Sequence, residues 1–266
     1  MKRWKPSFKS APKVAVVRLS GAISASGRSG GLNDETMGPV LERAFRKGKP
    51  KAVALVINSP GGSPVQSSLI GGRIRRLSEE LNVPVYAFVE DVAASGGYWI
   101  ASAADEIWTD SSSIVGSVGV ISSSFGLDML LKRQGIDRRV YTAGESKSML
   151  DPFRPEKPED VARLRKLLEQ LHVNFKNQIT ARRGDKLPKH QNLFTGEVWL
   201  GEEALKLGLI DGIGHIRPKM TELFGNKIKF VNYSAKRPFL RRFGAQMVDD
   251  ALQSVEERAQ FAQFGL

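Results

Sequence analysis

The chain has 266 residues, 41% of them hydrophobic, with 40 Lys and Arg against 28 Asp and Glu for a formal net charge of +12, and no cysteine. Without cysteine, disulfides, thiolate catalysis and cysteine-rich metal centres are excluded, and the composition is that of a globular protein rather than a disordered one. A membrane-spanning helix needs about 20 mostly apolar residues, whereas the best apolar runs here, Val14 to Leu19 and Val85 to Val89, are strand-sized.

The chain opens MKRWKPSFKSAPK, basic from the start, with no apolar run that could serve as a signal-peptide core. A cytoplasmic protein is therefore expected. The second cluster of basic charge lies at Arg217 to Arg242, and the two together allow either solvated surface charge or peripheral contact with an anionic membrane. No aromatic-interleaved basic motif or zinc-finger spacing points to nucleic acid.

In chain order, Val14 to Leu19 reads as a strand, Asp34 to Lys47 as a helix, Ala52 to Ile57 as a strand, Val65 to Leu81 as a helix and Val85 to Val89 as a strand. A small-residue helix from Ser95 to Ala104 follows, then a strand at Glu106 to Trp108, a helix near Leu127 to Gln134 and a strand at Arg139 to Thr142. From Glu159 to Arg182, the residues Val161, Leu164, Leu168, Leu171, Phe175 and Ile179 form one apolar helical stripe, expected to pack on the sheet or on a neighbouring subunit. Glu202 to Lys206 reads as a short helix closed by a left-handed Gly208, and Ile228 to Val231 as a late strand. Beyond Tyr233 a basic stretch leads into a polar helix ending at Leu266. Alternating strands and helices predict βα units and a mainly parallel sheet, with a basic arm at 1–13, one domain over 14–233 and a helical tail over 234–266.

Two strand-to-helix turns carry candidate chemistry. In LVINSPGGSP, Gly61 and Gly62 can present bare backbone amides at the carboxyl end of a strand, where open α/β sheets bind ligands; an ordinary tight turn is the plainer reading. In EDVAASGGYWIASAAD, Ser95 sits between a strand and a helix, followed by Gly96 and Gly97. That serine is either an N-cap or a nucleophile whose small neighbours let a substrate backbone approach. A serine nucleophile needs a base. The histidines are His172, His190 and His215, which read as structural or surface residues by their placement. A lysine whose ammonium form is disfavoured by burial can replace histidine, and composition alone does not choose among the lysines.

NSPGG, VAASGGYW, IVGSVGVI, GESKSMLDPFRP and GEEALKLGLIDGIG, in that order, resemble the motifs of the signal peptide peptidase A family. The resemblance spans about Val14 to Gly214. It implies a Clp-protease/crotonase-like α/β fold of repeated ββα and βα units, with a mainly parallel sheet and flanking helices. It implies a serine endopeptidase with Ser95 as nucleophile and Lys147 as base, Ser117 orienting the lysine amine, and the amides of Gly61 and Gly96 as oxyanion hole. No metal or cofactor is implied. Small or unfolded, signal-peptide-like peptides are the expected substrates. Single-domain relatives assemble into rings in which neighbouring subunits complete or enclose the sites, so a homo-oligomer is expected.

The chain departs from that family in showing no N-terminal membrane anchor and in having Ser146 before the lysine, where a bulkier residue is common. Three other readings stand beside it. A crotonase-like acyl-coenzyme A hydratase or hydrolase would reuse the two-amide hole, and a silent membrane-associated scaffold would keep only the fold. A Clp-like histidine triad would need a histidine between Gly96 and Gly126, where there is none.

Overall fold

The structure, a computed structural model, describes residues 11–25, 31–144, 146–189, 192–235 and 258–266. Its centre is an eight-stranded sheet. The strands are β1 (Lys13–Ser20), β2 (Ala52–Ser59), β3 (Val85–Ala94), β4 (Glu106–Thr109), β5 (Ile114–Gly116), β6 (Val198–Leu200), β7 (Gly212–Ile213) and β8 (Lys229–Tyr233). The main path runs β6-β5-β3-β2-β1-β8, with β4 pairing β3 and β7 beside it. Every pairing is parallel except β5 with β6, so the expected mainly parallel α/β architecture is present.

Alternation along the strands divides the core. Ala15, Val17, Leu19, Val53, Leu55, Ile57, Val85 and Ala87 face a large apolar cluster. That cluster is closed by the helices α1 (Asp34–Arg46), α2 (Pro64–Leu81), α3 (Gly96–Ser102) and the second half of α5 (Pro158–Arg183). Val14, Val16, Ala54, Val56 and Phe88 face the other way, under Met220 of α7 (Ile216–Phe224). Burial on both faces is why the strands read as nearly continuous apolar runs.

β3 is paired first by β4 and then by β5. β4 takes residues 86–89 and β5 takes 92–94, so the sheet forks along one strand and β3 runs on towards Ser95 beside a fresh neighbour. The pairing of β3 with β2 shifts register over the same stretch, between Ile57 and Ser59.

The region after β5 differs from expectation. The helix near 127–134 is present as the short α4 (Asp128–Arg133), but residues 139–142 form no strand, because no sheet edge lies alongside them to complete the hydrogen bonds that a strand requires. Tyr141 there is 90% exposed. Only the second half of the predicted α5 stripe is buried, at Phe175 and Ile179, while Leu171 is exposed. The short helix α6 (Gly201–Lys206) is followed by Gly208 at φ +69, the left-handed closure its sequence predicts. Most of the basic arm and residues 236–257 of the predicted tail lie outside the described residues; 258–262 are helical.

Candidate active site

Ser95 joins β3 to α3 with φ +50 and ψ −120, a conformation that costs a non-glycine residue about 1 to 3 kcal/mol. Its surroundings hold it there. The Ser95 amide donates to the Gly116 carbonyl at 2.9 Å, and its carbonyl accepts from the Trp99 amide at 3.0 Å. Ser95 occupies the N-cap position of α3, yet its hydroxyl makes no capping bond. The N-cap reading thus has no support in the geometry, and the half-buried hydroxyl is left for other work.

The two glycine loops meet at this serine. A Cβ placed on Gly61 would lie 2.8 Å from the Ala94 carbonyl oxygen, 2.8 Å from Ser95 Cβ and 2.9 Å from the Gly96 nitrogen. Gly61 also has φ +106, so any side chain is doubly opposed there. Gly97 is required by the same close approach, since its Cβ would fall 2.5 Å from the Ser59 carbonyl oxygen. Ser59 ties the loops together: its Oγ donates to the Gly21 carbonyl at 2.7 Å and accepts from the Gly61 amide at 3.3 Å.

The amides are not equivalent. Gly96 begins α3, and among the described residues its N–H has no hydrogen-bond partner. The Gly61 amide is already turned towards Ser59, whereas that of Gly62 has no partner among the described residues. Gly62 forms a parallel bridge to Ile23 in which Ile23 bonds to the groups on either side of it, so its own amide and carbonyl point away from Ile23. Sequence reasoning singled out the Gly-Gly pair but had no signal for which amide remains free.

Ser117 follows Gly116, which pairs with Ala94 in the parallel register of β3 and β5. It therefore stands one residue beyond that pair, as Ser95 does. Its φ is +53, and its amide donates to the Glu197 carbonyl at 2.6 Å. Lys147 is exposed, in the turn 146–150. Among the described residues its ammonium makes no hydrogen bond or ion pair, with Ser95 and Ser117 included.

Beneath α3 is a support that sequence reasoning missed. Tyr98 is fully buried and donates to the Leu209 carbonyl at 2.7 Å; burial pushes its phenol well above its ordinary pKa. Asp211 accepts from buried Arg183 at 2.6 Å, from the Ile107 amide at 2.8 Å and from Lys186. Burial works to raise the Asp211 pKa, but the Arg183 and Lys186 cations outweigh it and hold the carboxyl below its ordinary value. The signal was a single acid inside the apolar run GLIDGIG. His215 precedes α7 and pairs with Asp110 at 3.4 Å on the surface; His190 lies outside the described residues.

A serine raised on a strained strand-to-helix turn, beside the Gly61 loop and a Gly96 amide with no partner among the described residues, fits the constellation of a serine peptidase. Residues 78–226, more than half of the chain, match the family model described as Peptidase family S49, and the chain belongs to that family. Serine protease SPPA, chloroplastic, of Arabidopsis thaliana is 31% identical over 76% of this chain and 30% of its own length. Protease 4 of Haemophilus influenzae is 35% identical over 76% of this chain and 33% of its own. A Brucella abortus protein named Na(+)/H(+) antiporter NhaA is 46% identical over 96% of this chain, which spans 37% of that protein's length. No helix among the described residues is long and apolar enough to cross a membrane. Among solved structures, the 1510-N membrane-bound stomatin-specific protease in complex with a substrate peptide has a TM-score of 0.47 at 15% identity, covering 94% of this chain and 99% of that one.

Proposed function

We propose that this chain is a serine endopeptidase working by a serine-lysine dyad on small or unfolded peptides. The observation that carries the reading is Ser95, strained at φ +50, uncapped and set against the Gly61 loop. Neutral Lys147 accepts the proton of the Ser95 hydroxyl as Oγ attacks a peptide carbonyl carbon. The same proton passes to the leaving amine as the C–N bond breaks, and water then hydrolyses the acyl-enzyme. The Gly96 amide and the Gly61-Gly62 loop receive the negative charge that develops on the carbonyl oxygen, each donor contributing about 2.7 to 4 kcal/mol to the transition state. Ser117 orients the lysine amine. A substrate strand is accommodated beside the amide and carbonyl of Gly62, which have no partner among the described residues.

Neutral lysine requires a dry setting, and in the single chain Lys147 is exposed. The segment that carries it supports an answer. Ile121, Phe125, Met129, Leu130, Ile136 and Tyr141 are large apolar residues, each between 48% and 90% exposed, a density uncommon on a monomer surface. Assembly with further copies of the chain covers this segment and desolvates Lys147. An enclosed site of that kind admits extended peptides and excludes folded proteins. Peripheral contact with anionic membrane, through the basic stretches, belongs to the same reading.

The test is hydrolysis of an unfolded-peptide library together with labelling by a serine-reactive phosphonate. Ser95→Ala and Lys147→Ala should each lose about 10³-fold or more in kcat, and labelling of Ser95 should vanish in Lys147→Ala. Equal activity in all three proteins ends the dyad reading, and turnover of acyl-coenzyme A without labelling replaces it with the crotonase-like one.

A further inference from the structure

His172 has no part in the proposed proton transfers, yet its side chain reaches the segment that carries Ser117. It lies on the face of α5 that braces α3: Phe175 stacks against Trp99 with ring centroids 5.2 Å apart, Gln178 donates to Ser102 Oγ at 3.4 Å, and Arg182 donates to the Ser102 and Ala104 carbonyls at 3.0 and 2.9 Å. One turn before Phe175, His172 Nε2 stands 3.2 Å from the carbonyl oxygen of Val118. A carbonyl can only accept, so the ring nitrogen donates.

The bond falls at a demanding place. Gly116 at φ +112 and Ser117 at φ +53 are consecutive residues of left-handed sense, and such a pair persists only where its neighbours over-determine it. Among the bonds that do so, one is internal to the turn, from the Gly119 amide to the Ser117 carbonyl at 2.9 Å, and three reach outside it. The Gly116 carbonyl accepts from the Ser95 amide and the Ser117 amide donates to Glu197; the third is that from His172 to Val118, which is fully buried. The first bond joins the turn to the nucleophile, the second to the strand β6 side, and the third to α5.

We propose that His172 is a positioning residue, whose Nε2 donor fixes the Val118 carbonyl and through it the direction of the Ser117 hydroxyl. This rests on the serine-lysine reading above. Removing the donor frees the 116–119 turn to rotate and leaves Ser117 misdirected, while α5 keeps its apolar hold through Phe175 and Ile179.

The experiment compares His172→Leu, which keeps bulk and loses the donor, with His172→Gln, which keeps a side-chain N–H. Loss of one neutral hydrogen bond corresponds to about a five- to tenfold fall in rate. His172→Leu should lower kcat and the rate of Ser95 phosphonylation by that factor with KM nearly unchanged and a Tm within a few degrees of wild type. His172→Gln should recover most of the rate. In the double variant with Ser117→Ala, His172→Leu should add almost nothing, because both act at one point. A Leu variant with wild-type kcat, a Gln variant as slow as Leu, or full additivity with Ser117→Ala each overturns the inference. Those outcomes leave the dyad standing as long as Ser95→Ala and Lys147→Ala remain inactive; activity in Ser95→Ala would instead remove the reading on which the inference depends.

Discussion

The half of the chain that carries Ser95 and the segment that carries Lys147 are built on opposite principles. In β2 all residues but one are buried, and β3, α3 and the Gly61 loop pack so closely that a single added Cβ at Gly61 or Gly97 meets backbone within 3 Å. The segment from Ile121 to Leu150 has no buried residue among those described, and around Gly126, Gly135 and Gly144 a Cβ would meet nothing within 4 Å. A strained serine needs rigid surroundings, which the chain supplies by itself. A neutral lysine needs water excluded, which the chain alone does not supply. On the proposed mechanism the nucleophile is a product of folding and the base a product of assembly.

The sharpest way to test that division is to damage the support beneath α3. Arg183 is 3% exposed, binds Asp211 at 2.6 Å and donates twice to the Gly208 carbonyl. Arg183→Met leaves the partly buried Asp211 carboxylate short of a partner and the Gly208 carbonyl short of its donor, and the folded state should lose about 3 kcal/mol, read from the urea midpoint. Arg139→Met, which breaks a 2.9 Å pair with Asp137 in which both side chains are 73% exposed, should cost less than about 1 kcal/mol. Equal losses would deny the contrast. The same pair predicts acid sensitivity. A carboxyl held below its unfolded value of 3.8 contributes stability that is complete above that value and is lost as the pH falls through the folded pKa. Wild-type stability should therefore drop below about pH 4, and in Asp211→Asn, measured by the same melts, that part of the slope should disappear.

A glycine exchange separates the regions at the level of chemistry. Gly61→Val forces a side chain against Ala94 and Ser95 at φ +106. It should cost about 1 to 3 kcal/mol of stability, and on the proposed mechanism kcat should fall by about 100-fold or more, because the loop assigned to the oxyanion is displaced. Gly135→Ala, also at positive φ but in open space, should cost about 1 kcal/mol or less and leave kcat unchanged. Steady-state kinetics on the two purified proteins decides it; a Gly61→Val enzyme with normal kcat would remove that loop from the site.

The same division governs what could be read from the sequence. β1, β2, α1 and α2 were legible to within two residues, and β3 over its first half, because continuous apolar runs and helical periodicity report burial that the chain provides for itself. β5, β6 and β7 were not, being only two or three residues long and existing because neighbours complete them. Arg139 to Thr142 shows the converse error: a strand-like run has no strand where there is no edge to receive it. At the candidate site, the small-residue setting singled out Ser95, while Lys147 rested on family resemblance, and its exposed position gives no local geometric reason to choose it. The Gly62 amide, without a partner among the described residues, and the reach of His172 to Val118 are properties of folding at a distance that no local pattern encodes.

The smallest effect on the folded chain, and the one that tests the proposed assembly, comes from the exposed apolar residues themselves. Ile121, Phe125 and Tyr141 are 86%, 84% and 90% exposed, so replacing them together by Asn, Ser and Ser should change the stability of the isolated chain by no more than about 0.5 kcal/mol for each position. In solution their loss should be larger than that figure suggests. Wild type should sediment as an oligomer and lose specific activity on dilution, since mass action separates the copies that cover Lys147. The triple variant should sediment as a monomer with the wild-type Tm of a single chain and negligible peptidase activity, although the Ser95 turn is untouched. If it remains an oligomer of wild-type activity, the cover for Lys147 comes from elsewhere. If wild type is itself a fully active monomer, Lys147 must reach Ser95 by a rearrangement within one chain.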